Sequence, residues 1–198
     1  KRGAHGSVDY RAALKASCND YVYQAALRAG PDGVARMARL LGFDVAYDLD
    51  IPSVVKGNIP DPEWWRRVRG GEWPAGGTLN MGIGQGDVLT SPVQLATFTA
   101  RLANGGKAVV PRLIRARAGL PEVGAPAPLG IDPVALQRTN EAMWAISNEA
   151  GGTAYNPSQL DLVRHKDTGR IVVETDAPPG SAKVQLAGKT GTAQVRVI

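Results

Sequence analysis

The run Lys189-Thr190-Gly191-Thr192 most constrains how this chain can fold, because it sits inside a strand-like segment, Val184–Ile198, at the far end of a largely helical sequence. Side chains two apart on a strand share a face, so Thr190 and Thr192 are expected to point together. Gly188 and Gly191 punctuate the segment, as glycines do where a strand's backbone passes close to something. Upstream, Leu162–Thr175 reads as a hairpin around Asp167-Thr168-Gly169, an Asp-x-Gly turn. Helices that precede and cover a mostly antiparallel sheet define an α+β chain.

The helical part is legible from its punctuation. Ser7 is expected to cap a short helix ending at Lys15. Tyr21, Ala25, Ala26 and Ala29 follow at helical spacing until Gly30-Pro31 interrupts them. Val34, Met37, Ala38 and Leu41 mark the next apolar face. Asp44–Asn80 carries so many prolines and glycines that it reads as a long irregular connection, a length that often borders a site. The strongest helix is Pro92–Asn104: Ser91 as N-cap, proline at the first position, Gln94 completing a capping box and Gly105-Gly106 as the exit. Lys107–Arg115 reads as a strand that Pro111 either restricts to an edge or interrupts, and Gly119–Gly130 as a linker. Asp132-Pro133 opens a further helix with Val134, Thr139, Ala142, Met143 and Ile146 on one stripe, ending near Gly151-Gly152.

Composition narrows the function classes. With 43% hydrophobic and 21% charged residues the chain has the balance of a folded globular protein. No apolar run reaches the roughly 18–20 residues that cross a bilayer. A net charge of +5 permits acidic partners, but the basic residues are scattered and no aromatic-basic ladder accompanies them, which argues against nucleic acid. A single cysteine, Cys18, excludes an intrachain disulfide.

Two polar clusters carry chemistry. A lysine on an exposed strand, Lys189, sets a positive charge beside a hydroxyl, and Gly191 lets a peptide lie along the strand edge. Thr190 and Thr192 would hold a terminal carboxylate, and the Thr192 N–H is a natural oxyanion donor. In Ser17-Cys18-Asn19, between two helices, Ser17 would relay a proton and Asn19 would bind a substrate amide. The plainer alternative for the same turn is a helix N-cap. Ser53-Val54-Val55-Lys56 matches Ser-x-x-Lys, yet Gly57-Asn58 follows where a helix should continue. Gly82-x-Gly84-x-Gly86 lacks nucleotide-loop spacing and reads as a tight turn under the site. His5 and Cys18 are suited to zinc but are only two ligands.

Taken in order, Asp61-Pro62-Glu63-Trp64-Trp65, Trp73 through Gly86, Ser91-Pro92-Val93-Gln94-Leu95-Ala96, Ala103-Asn104-Gly105-Gly106, Gly152-Thr153-Ala154 and Ala187 through Val195 resemble the penicillin-binding protein 2 family, the class B D,D-transpeptidases of cell elongation. The resemblance implies a β-lactamase/transpeptidase-like fold, an antiparallel sheet flanked by helices. Residues 1–198 would be a partial domain, lacking the upstream Ser-x-x-Lys nucleophile segment and the last strands and C-terminal helix. It implies catalytic roles for Ser17, Asn19 and Lys189 and substrate contacts from Thr190, Gly191 and Thr192. No cofactor is required for catalysis; some members carry a structural zinc, for which His5 and Cys18 would match while two aspartates would not be present. The implied partners are peptidoglycan stem peptides, β-lactams and an elongation-complex glycosyltransferase, in a periplasmic domain anchored to the inner membrane. A β-lactam sensor and a β-lactamase of the same fold are the alternatives.

Overall fold

The structure, a computed structural model, describes residues 5–51, 54–114, 124–156, 161–164, 171–174, 182–183 and 185–191. The chain divides into two compact units, one of residues 19–136 and one of residues 1–18 with 137–198. Among the described residues no helix is long and apolar enough to cross a membrane.

In the unit of residues 19–136, α2 (Asn19–Leu40) is two helices joined at Gly30, whose φ of 70° and ψ of 162° break the turn before Pro31, as the sequence leads one to expect. The connection after it is less irregular than anticipated. It contains α3 (Pro62–Val68) and the start of α4 (Gly77–Gly82). Asp61 explains the first: its carboxylate accepts from Trp64 N–H at 2.7 Å as N-cap, with proline at the first position. The same carboxylate takes a 2.7 Å bond from Arg39, which also binds Asp44 and the Ile59 carbonyl, so capping and tertiary pairing coincide. Helix α4 lies on α2 at Gly82, where an added Cβ would come within 2.6 Å of the Ala26 Cβ. Around this contact Ala35, Ile59 and Met81 form a core, joined by Phe43, Trp73 and Val88. Beyond α4, Gly84 and Gly86 take positive φ in the anticipated tight turn.

Helix α5 (Pro92–Ala103) forms as predicted, with both bonds of the capping box present and Gly105 and Gly106 left-handed beyond it. Its Gln94 does more than cap. The side chain is fully buried, accepting from Ser91 N–H and donating to the carbonyls of Val45 at 2.8 Å and Lys56 at 2.6 Å. Among the described residues the strand expected over Lys107–Arg115 does not form; Arg115 itself lies outside them. A single bridge pairs Lys107 with Pro128, and Val109 N–H turns back to the Lys107 carbonyl at 2.8 Å in place of continuing the ladder.

In the other unit, α1 (Tyr10–Lys15) is capped by Asp9, whose carboxylate accepts from Ala12 N–H at 2.8 Å; the expected cap, Ser7, lies outside the helix. The helix ends in a Schellman turn. Cys18 N–H bonds the Ala13 carbonyl at 2.8 Å and Ser17 N–H bonds that of Leu14 at 3.1 Å. Ser17 therefore occupies the position that favours glycine, with φ of 55°. The apolar pair customary in this motif is here Ala13 and Cys18, 0% and 7% exposed. Helix α6 (Pro133–Asn148) enters this unit at Gln137, with Ala142, Ala145 and Ile146 fully buried. Just past its end Glu149 pairs with Arg11 and, at 3.1 Å, with Lys15, fastening α1 to α6. The Arg11 and Lys15 bonds hold the Glu149 carboxyl down at about 2. The pair's contribution is therefore complete above the ordinary value of 4.5 and fades as pH falls towards 2.

The sheet is antiparallel, in the order β2-β1-β3, from β1 (Asp161–Arg164), β2 (Ile171–Glu174) and β3 (Ala182–Lys183). The β1–β2 register pairs Leu162 with Val173 and Arg164 with Ile171, as a hairpin requires; its Asp-x-Gly turn lies outside the described residues. Of the long strand expected over Val184–Ile198, residues 185–191 have no strand structure, which corrects that part; Val184 and residues 192–198 lie outside the described residues. Their backbone groups turn to α6 instead: Gly188 N–H bonds the Met143 carbonyl at 3.1 Å, and Asn148 donates to the Leu186 carbonyl.

Two outcomes follow from these polar contacts. Gln94→Leu should lower unfolding stability by roughly 1–3 kcal/mol in a urea titration, since it removes the buried amide that binds the Val45 and Lys56 carbonyls and the Ser91 N–H. Ser17→Gly should be about 1 kcal/mol more stable than Ser17→Ala in the same titration, because only glycine relieves the left-handed backbone.

Candidate active site

The Schellman turn presents Ser17 at the end of α1, and the residues 185–191 bring a cation to it. Lys189 Nζ donates to Ser17 Oγ at 2.7 Å, across nearly the whole length of the chain. The same ammonium donates to the Thr190 carbonyl at 2.9 Å and approaches Thr190 Oγ1 at 3.4 Å. Burial holds the Lys189 ammonium below its ordinary value of 10.5. With three donors on a freely turning head, lysine can serve all three oxygens at once.

Thr190 has a second partner, the Thr153 hydroxyl, at 2.9 Å. Sequence reasoning assigned Thr153 no role; its only signal was the motif Gly152-Thr153-Ala154. The structure seats it firmly. Thr153 N–H bonds the Lys15 carbonyl and Ala154 N–H bonds that of Ile146, each at 3.2 Å. A Cβ on Gly152 would lie 2.2 Å from the Ile146 carbonyl oxygen, so the turn can close this tightly only with glycine.

Among the described residues no hydrogen bond joins the remaining candidates to this cluster. Asn19 is exposed at the first position of α2, in the other compact unit. Gly191 is exposed, and Thr192 lies outside the described residues. The close approach expected at Gly188 and Gly191 is not found: among the described residues nothing comes within 4 Å of a Cβ placed on either.

Val54–Gly57 is not helical, and Lys56 pairs with Asp44 at 3.3 Å, which fits the dismissal of the Ser53 match; Ser53 itself lies outside the described residues. His5 is exposed, whereas Cys18 is buried as the apolar member of the Schellman pair. A structural zinc takes four donors, and among the described residues no three of His, Cys, Asp or Glu stand together. His5 and Cys18 would supply two of those four donors.

With that geometry in place, the chain matches the model of the penicillin binding protein transpeptidase domain over residues 1–197. It is 36% identical to the peptidoglycan D,D-transpeptidase MrdA of Acinetobacter baumannii over all of its own length, and it spans 27% of that relative's. Its fold resembles PBP2 of Pseudomonas aeruginosa, solved in complex with WCK 5153: TM-score 0.68 and 35% identity, covering 74% of this chain and 34% of that one. It also resembles PBP2 of Helicobacter pylori, solved in complex with MreC: TM-score 0.71 and 26% identity, covering 80% and 29%. Fold, motif order and sequence agree, and the chain belongs to the penicillin-binding protein transpeptidase family, with the PBP2 enzymes as its relatives.

Proposed function

We propose that this chain is part of a serine D,D-transpeptidase that cross-links peptidoglycan stem peptides and is acylated by β-lactams. The observation that carries the reading is the 2.7 Å bond from Lys189 to Ser17. It puts a fixed positive charge on the one hydroxyl that the Schellman turn holds outward, an arrangement suited to moving a proton within a small polar cluster.

In the full-length protein the attacking oxygen comes from a Ser-x-x-Lys segment N-terminal to residue 1. It forms an ester to the penultimate D-Ala carbonyl as the terminal peptide C–N bond breaks. The departing D-Ala amine needs a proton, which Ser17 relays with Lys189 beside it. An acceptor amine then takes the acyl group and releases the serine. Asn19 holds the donor's amide, and Thr190 and Thr192 take its terminal carboxylate. Among the described residues nothing crowds Gly188 or Gly191, which suits an extended peptide lying along this segment. The acyl transfer draws on groups of the protein itself and needs no cofactor. On this reading the domain works in the periplasm on an inner-membrane anchor, together with an elongation-complex glycosyltransferase. The Helicobacter relative solved with MreC supports a place in an assembly of this kind.

Intact-mass analysis of the full-length protein with benzylpenicillin should show one long-lived adduct; rapid turnover to penicilloate, or no adduct, would contradict the reading. The charge on Lys189 gives a further outcome. Its lowered pKa means the ammonium is lost at a lower pH than an ordinary lysine's 10.5. The acylation rate should therefore fall along an alkaline limb centred below that value, and Lys189→Arg should abolish the limb, because arginine stays charged. A limb that survives in Lys189→Arg would assign it elsewhere.

A further inference from the structure

Resting on that reading, we propose that Thr153 is a positioning residue for carboxylate binding: its hydroxyl donates to Thr190 Oγ1 and so directs the Thr190 proton outward to the ligand. A threonine hydroxyl has one proton to give and two lone pairs to receive. Lys189 can only donate, and its Nζ faces Thr190 Oγ1 at 3.4 Å, taking one lone pair. The 2.9 Å contact between Thr153 and Thr190 can run in either direction. If Thr190 donated to Thr153, its only proton would be spent inside the protein and its outward face would repel an anion. If Thr153 donates, both lone pairs meet donors of the chain, and the Thr190 proton is left for a carboxylate.

The architecture holds Thr153 for this task. Its N–H is tied to the carbonyl of Lys15, two residues before Ser17, and Lys15 is in turn paired with Glu149. Gly152 lets the loop close against the Ile146 carbonyl. Both the hydroxyl relay and the anion contact thus depend on the α1–α6 junction. Neither hydroxyl touches the reacting bond through Thr153, which acts only by way of Thr190.

The test uses the full-length protein and two ligands, benzylpenicillin and its methyl ester, with reversible binding and acylation rate constants separated by stopped-flow measurement. Thr153→Val should weaken binding of the acid roughly tenfold while leaving the ester within about twofold, and Thr153→Ser should restore the acid. Thr153→Ala gives a second variant that removes the hydroxyl should valine unfold the protein, with circular dichroism reporting the fold. Equal losses for acid and ester, or no loss for the acid, would overturn the assignment. Thr190→Val run in parallel separates the two levels. If it fails to distinguish acid from ester, the carboxylate site itself is wrong. If it distinguishes them and Thr153→Val does not, only the role of Thr153 falls.

Discussion

The bond between the Lys189 ammonium and the Ser17 hydroxyl depends on a backbone conformation that serine does not favour. Left-handed φ costs an ordinary residue about 1–2 kcal/mol, and Ser17 is held there by the two hydrogen bonds of the turn that ends α1. In return the side chain leaves the helix axis at the one place where the 185–191 segment arrives. A glycine would relax the turn and leave the lysine without its partner. Strain of this kind at a helix end is intelligible when the side chain, not the helix, is what the position serves.

The remainder of that unit keeps the turn in register. Glu149 joins α6 to α1 through two cations, and the loop after it carries Thr153 back to the Lys15 carbonyl. Gly152 is required there by a carbonyl oxygen, where no side chain fits. In the unit of residues 19–136 a comparable part falls to Gln94, a buried amide that ties two loop carbonyls to the first turn of α5. Polar groups in fixed geometry, more than apolar volume, define these local structures, since each would be costly to leave unpaired.

This explains what could be read from the letters. Elements announced by local chemistry were legible: the break at Gly30-Pro31, the capping box at Ser91 and Gln94, and the start of α6 after Asp132-Pro133. The Asp61-Pro62 start of α3 used the same signals but was hidden among the prolines and glycines around it. Ser7 and Asp9 are both good caps two residues apart, and only the register of α1 decides for Asp9. The strand expected after Val184 and that over Lys107–Arg115 had suitable residues, but a strand exists only if a neighbour supplies its hydrogen bonds. Residues 185–191 found those partners on α6. Of the site, Ser17 and Lys189 were legible because a family motif marks them. Thr153 was not, because a hydroxyl's direction of donation is set by its neighbours, and a left-handed serine at a helix end has no sequence signature.

The account stands on Ser17 and Lys189 acting as one unit, and a double-mutant cycle on β-lactam acylation by the full-length protein tests this most directly. Ser17→Ala and Lys189→Ala should each slow acylation strongly, and the double variant should be hardly slower than the worse single one. Losses that simply multiply in the double variant would show that the two residues work independently, and the shared proton path would have to be abandoned.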